Sequence, residues 1–134
     1  MKRTRNRRGN GNGTDLVFSI PLPYGLLYVR DSKSLDDPEI DGKSMFWRSD
    51  TVLAVACQGD EDGPTEIRIG TGPGSGTELS LLTAFDMSVP SRRLFFETVP
   101  DETFHEMPLE RPMAHVEVWT KGYQGTPVVW LKIT

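Results

Sequence analysis

The side chains most able to do chemistry are few: one cysteine, Cys57, and two histidines, His105 and His115. Nucleophilic catalysis by Cys57 would need an adjacent base and a lowered thiol pKa. Instead the residue ends the apolar run Val52-Leu53-Ala54-Val55-Ala56, where a thiol acts as a small hydrophobe, so Cys57 is assigned to the core. His105 stands in a polar stretch flanked by prolines, and His115 opens a run that alternates between charged and apolar residues. Neither has further ligands at a zinc-binding spacing, and no metal is expected.

Two other segments imitate known sites. Asp37-Pro38-Glu39-Ile40-Asp41-Gly42 resembles the start of a calcium loop, with carboxylates at alternate positions and glycine where the turn sharpens. The twelfth position is Arg48 in place of the bidentate glutamate, so the segment reads as a solvated acidic loop. The run Gly70-Thr71-Gly72-Pro73-Gly74-Ser75-Gly76 lacks the register of a dinucleotide-binding loop and precedes an apolar, strand-like segment, so it reads as a turn. No serine sits in a nucleophile elbow, and no cofactor loop is present. The expectation is a non-enzymatic protein without a cofactor.

What stands out is charge. Asp36, Asp37, Glu39 and Asp41 gather in one segment, and Asp60, Glu61 and Asp62 in another. Such clusters are commonly solvated faces; the sharper reading is a docking surface for a basic partner, where complementary charge speeds encounter and sets register. These seven residues are therefore the candidate partner-binding set. The formal net charge of −4 hides a division, because five of the 15 basic residues fall within the first eight positions, which leaves the remainder at about −9. Phosphate would be repelled by that body, so any contact with nucleic acid falls to the basic arm.

The elements that must position these residues read as strands. Residues 1–14 carry no large apolar side chain beyond Met1 and contain Gly9-Asn10-Gly11-Asn12-Gly13, so they are expected to form a flexible basic arm ahead of one domain over 15–134. From Asp15 on, short runs of β-branched and aromatic residues are bounded by Pro, Gly, Asp or Asn. Eight such runs are predicted strands: 16–20, 24–30, 51–58, 65–69, 79–87, 92–97, 115–120 and 128–133. The apolar Val52–Cys57 run is placed at the centre, covered on both faces. Asp60-Glu61-Asp62-Gly63 reads as a hairpin turn, and 31–50 as the longest loop. Three prolines between 98 and 113 argue against a helix there. The fold class expected is all-β, a two-sheet antiparallel β-sandwich of about eight strands. No apolar run is long enough to span a bilayer and a lone cysteine forms no intrachain disulfide, which points to a cytoplasmic protein that does not insert into membranes.

The order of these features resembles one family. Phe46-Trp47 ahead of Thr51-Val52-Leu53-Ala54-Val55-Ala56, then Thr83-Ala84-Phe85-Asp86-Met87, Arg93-Leu94-Phe95-Phe96-Glu97 and Val116-Glu117-Val118-Trp119, is similar to the layout of competence protein J, a family of small acidic inhibitors of a DNA-entry nuclease. The resemblance rests on strand order and aromatic placement over most of residues 15–134. It implies an inhibitor or immunity-type protein that occludes a basic nuclease or toxin. The basic arm and the glycine-rich turn depart from that pattern. The alternative expectation is a structural or virion assembly protein that uses its arm.

Overall fold

The computed structural model describes residues 4–9, 14–70, 78–99 and 102–134, with side chains described from Asp15 on. Its strands in chain order are β1 (Thr4–Gly9), β2 (Thr14–Ile20), β3 (Leu26–Asp31), β4 (Phe46–Arg48), β5 (Val52–Ala56), β6 (Thr65–Gly70), β7 (Ser80–Ser88), β8 (Arg93–Thr98), β9 (Glu102–Pro108), β10 (Met113–Thr120) and β11 (Val128–Ile133). They form two sheets. One runs β1-β2-β6-β11-β10-β7 and the other β4-β5-β3-β8-β9, with every neighbouring pair antiparallel except β6 with β11.

All eight expected strands are present, with ends moved by a few residues. Ten strands rather than eight make up the body from Thr14 onward, because β4 and β9 add one at each edge of the five-stranded sheet. The strand β9 is the part of the proline-bounded stretch that keeps an extended backbone. Pro108 closes it at the sheet edge, where a missing N–H costs no ladder bond. The expected arm lies partly outside the described residues, at 1–3 and 10–13. Within it the backbone of β1 pairs with β2 from Thr4↔Ser19 to Gly9↔Thr14. Backbone pairing needs no apolar side chain, which is why composition pointed to a tail. The expected turn at 70–76 falls outside the described residues from Thr71 on.

Both sheets feed one buried cluster. Phe18 and Ile20 of β2, Ile67 and Ile69 of β6, Val116 and Val118 of β10 and Leu131 of β11 meet Leu27 and Val29 of β3, Leu53 and Val55 of β5, and Leu94 and Phe96 of β8. The layers also touch along their long sides. Phe104 of β9 packs edge-on against Phe18 at 5.2 Å, and on the opposite side the Arg48 guanidinium lies 4.4 Å from the Phe85 ring centre. A register shift between Phe96 and Glu97 inserts an extra residue on β9, so that Phe104 and His105 both reach Phe18 and Phe96.

Two expectations about connections are corrected. β5 is not the middle strand of its sheet; β3 is. β5 is nevertheless buried at every residue, since Leu53 and Val55 face the core while Val52, Ala54 and Ala56 face outward beneath other chain. Asp60-Glu61-Asp62-Gly63 does not close a hairpin. It forms a short 3-10 turn, Asp60–Asp62, on the link that carries the chain from β5 in one sheet to β6 in the other. A turn's own residues do not reveal whether its flanking strands pair.

Candidate protein-docking surface

The segment from Ser32 to Met45, here termed the strap, joins β3 to β4 and is bonded to the body through Arg30, Ser49, Thr51 and Trp47. It leaves β3 at one end of the molecule, crosses the outer face of the five-stranded sheet and enters β4 at the other end. Arg30 of β3 holds its first half. The guanidinium donates through Nε to Glu97 Oε1 of β8 at 2.7 Å, and through Nη1 to the carbonyls of Ser34 at 3.4 Å and Asp36 at 3.2 Å. Nη2 reaches Asp37 Oδ1 at 3.4 Å. The Arg30 and Glu97 side chains are only 14% and 13% exposed, so this pair is largely shielded from water.

Other polar contacts complete the attachment. Asp36 Oδ2 accepts from Ser49 Oγ at 3.1 Å and Thr51 Oγ1 at 3.0 Å, on the turn between β4 and β5. Asp41 Oδ1 accepts from the backbone N–H of Lys43 at 2.9 Å and the indole N–H of Trp47 at 3.0 Å. Those donors stabilise the charged form, with the Lys43 N–H the larger influence, and hold the Asp41 carboxyl below its ordinary pKa. From the link between β10 and β11, Gln124 Nε2 donates at 3.1 Å to the carbonyls of Gly42 and of Ser44.

That last contact defines one end of the molecule. The strap's exit there meets the links β2–β3, β5–β6 and β10–β11. Cys57 N–H donates to Gly25 O at 2.7 Å, Gln58 N–H to Thr126 O at 3.0 Å, and Asp60 N–H to Leu22 O at 3.1 Å. Gly25 is required by this meeting: its φ is +64°, and a β-carbon would sit 2.8 Å from the Cys57 carbonyl oxygen. Tyr24 and Tyr123 project from the rim, 67% and 54% exposed. They stand in the same loop cluster as Asp41, Asp60, Glu61 and Asp62, all exposed.

The seven acidic residues are thus divided. Asp41 and Asp60, Glu61 and Asp62 come to the tyrosine-bearing end. Asp36 and Asp37 lie towards the other end, bonded to the body, and exposed Glu39 lies between. Sequence reasoning missed the tyrosines. The available signal was Pro23-Tyr24-Gly25 and Gly122-Tyr123-Gln124-Gly125, where an aromatic side chain sits inside turn chemistry; the expected strand 24–30 concealed the first, because β3 begins only at Leu26.

The remaining reactive groups are occupied elsewhere. Burial pushes the Cys57 thiol up to about 12, which leaves no thiolate at neutral pH. His105 of the five-stranded sheet packs on Phe96 of the same sheet and Phe18 of the other, while in the six-stranded sheet His115 Nδ1 lies 2.9 Å from Asp86 Oδ1. Buried Asp31 accepts from the Ser91 N–H and Oγ at 3.0 and 2.6 Å and from the Lys33 N–H at 3.2 Å, pinning the end of β3 to the β7–β8 turn. On the outer face of the six-stranded sheet, Trp119 of β10 lies opposite Trp130 of β11, and Arg68 of β6 stacks 4.9 Å from the Trp130 ring centre. Arg68 is itself paired with Glu66 at 2.6 Å and Trp119 donates to Glu117 at 3.0 Å, while the buried Trp130 indole N–H has no hydrogen-bond partner among the described residues. Among the described residues, no group of three or more His, Cys, Asp or Glu side chains is placed to hold a metal, and no helix is long and apolar enough to cross a membrane. Comparison with protein-family models, with curated proteins and with solved structures found no match for this chain.

Proposed function

We propose that this chain is a non-catalytic binding module, a β-sandwich whose acidic, tyrosine-bearing end docks on a basic protein, and that it acts as an inhibitor or immunity-type protein for a nuclease or toxin. One observation carries the reading: the two exposed tyrosines share the end of the molecule that also presents Asp41, Asp60, Glu61 and Asp62. Tyrosine is enriched among the residues that dominate interface energies, because it brings large contact area at little entropic cost. Carboxylates around such anchors steer a cationic partner and are screened beyond about 10 Å at 0.1 M salt. Cys57 and the separated histidines support a role without covalent chemistry. Occlusion of a nuclease is what the resemblance to competence protein J adds.

The test is association kinetics with a basic nuclease or toxin encoded beside the gene for this chain, followed by surface plasmon resonance at low and high salt. Changing Asp60→Asn, Glu61→Gln and Asp62→Asn together should slow association about tenfold at low salt and flatten the salt dependence. An unchanged rate at every salt concentration would sink the reading.

A second reading, an assembly protein that shares its arm with a neighbouring subunit, draws on β1. This edge strand pairs with β2 through backbone bonds that the same segment of another copy would satisfy equally well. Oligomers of the full chain that disappear when the chain starts at Thr14 would favour it.

A further inference from the structure

We propose that the groove beside Tyr24 receives an arginine side chain of the partner; this rests on the docking reading and names its anchor. Tyr24, Leu26, Ile40, Trp47, Ala56 and Gln124 line a groove of about 300 Å³ between the strap and the outer face of the five-stranded sheet. Its walls are of two kinds. Leu26, Ile40 and Ala56 offer aliphatic surface to a long methylene stem, while Tyr24 and Trp47 offer aromatic surface to a planar cation.

The groove is held in place. Gln124 ties the strap to the end loops at Gly42 and Ser44, and Trp47 is oriented by its bond to Asp41. That bond uses Asp41 Oδ1 and sets a carboxylate beside the aromatic wall, with Oδ2 making none of those contacts. The neighbouring loops carry Glu39, Asp60, Glu61 and Asp62 against Lys43 and Lys121, and Lys121 is already bonded to Glu78 at 2.8 Å. An apolar groove with a negative margin is complementary to a side chain that ends an aliphatic stem in a positive charge. Arginine fits better than lysine, because its guanidinium stacks on rings and sheds water more readily than a compact ammonium.

The experiment compares capped hexa-arginine and hexa-lysine peptides by titration, with NMR detection of the tryptophan indole N–H resonances. Hexa-arginine is expected to bind about fivefold more tightly than hexa-lysine and to move the Trp47 indole signal. Tyr24→Ala, at a position too exposed to support the fold, should remove the preference for arginine. Equal affinity for the two peptides, an unmoved Trp47 resonance, or an undiminished preference in Tyr24→Ala would each overturn the proposal. The triple neutralisation at 60–62 separates this failure from that of the docking reading. If it weakens both peptides while no arginine preference exists, charge-guided docking stands and the groove proposal falls.

Discussion

The strap and the Asp60–Asp62 turn both carry exposed carboxylates, yet those carboxylates do different work. In the strap, Asp36 and Asp41 accept hydrogen bonds that hold a loop across a sheet, and Asp37 adds an ion pair to Arg30. In the turn, Asp60, Glu61 and Asp62 follow one another around a single 3-10 turn with no buried residue. Acidity in a sequence is therefore two signals superposed. A carboxylate whose oxygens accept several bonds is committed to structure, as Asp36 is, whereas Asp60, Glu61 and Asp62 face water; Asp41 belongs to both groups, since Oδ1 alone accepts the bonds from Lys43 and Trp47.

Three measurements test this contrast, in falling order of expected effect. The greatest loss should follow Arg30→Ala, which releases the strap and leaves Glu97 shielded without its cation. Breaking a partly buried pair from one side is expected to cost about 3 kcal/mol, read from urea unfolding. A loss under about 0.5 kcal/mol would mean that the strap is not anchored there.

A smaller effect concerns pH. Because the folded Asp41 carboxyl has a lowered pKa, its contribution to stability is fully present above the unfolded value and disappears as pH falls through the folded value. The Trp47 indole N–H resonance should accordingly hold its position through the ordinary aspartate range and change only at more acidic pH. A midpoint at the ordinary carboxylate value would show that the contact adds nothing to the charged form.

The least effect on folding is expected from neutralising Asp60, Glu61 and Asp62 together, where unfolding free energy should move by no more than about 0.5 kcal/mol. A larger change in thermal unfolding would place the turn with the strap, and the division between the two regions would dissolve.

How far the sequence could be read follows the same division between local and non-local causes. The alternation in Glu66-Ile67-Arg68-Ile69 and in His115-Val116-Glu117-Val118-Trp119 marked strands because period two is a property of the strand itself. The strand β4 is three residues long, too short to show a period, and β9 hides its pattern behind Glu102, His105 and Glu106. The burial of Val52, Ala54 and Ala56 was legible, but the route of the strap was not, since it depends on the bonds that Arg30 makes to it. Of the candidate docking surface, the sequence displayed the acids. The tyrosines became significant only when links distant in the chain met at one end.

The place of β11 has a consequence for the order of folding. This strand lies between β6 and β10, in parallel with one and antiparallel to the other, so the six-stranded sheet is completed by its latest segment entering the middle and not an edge. Until residues 128–133 insert, β6 and β10 each have an unpaired border facing the gap, and pairing across so long a stretch of sequence is slow. Such borders are where nascent chains associate wrongly. The molecule is accordingly most exposed to aggregation in the interval before β11 inserts, and a substitution that slows that insertion would lengthen it.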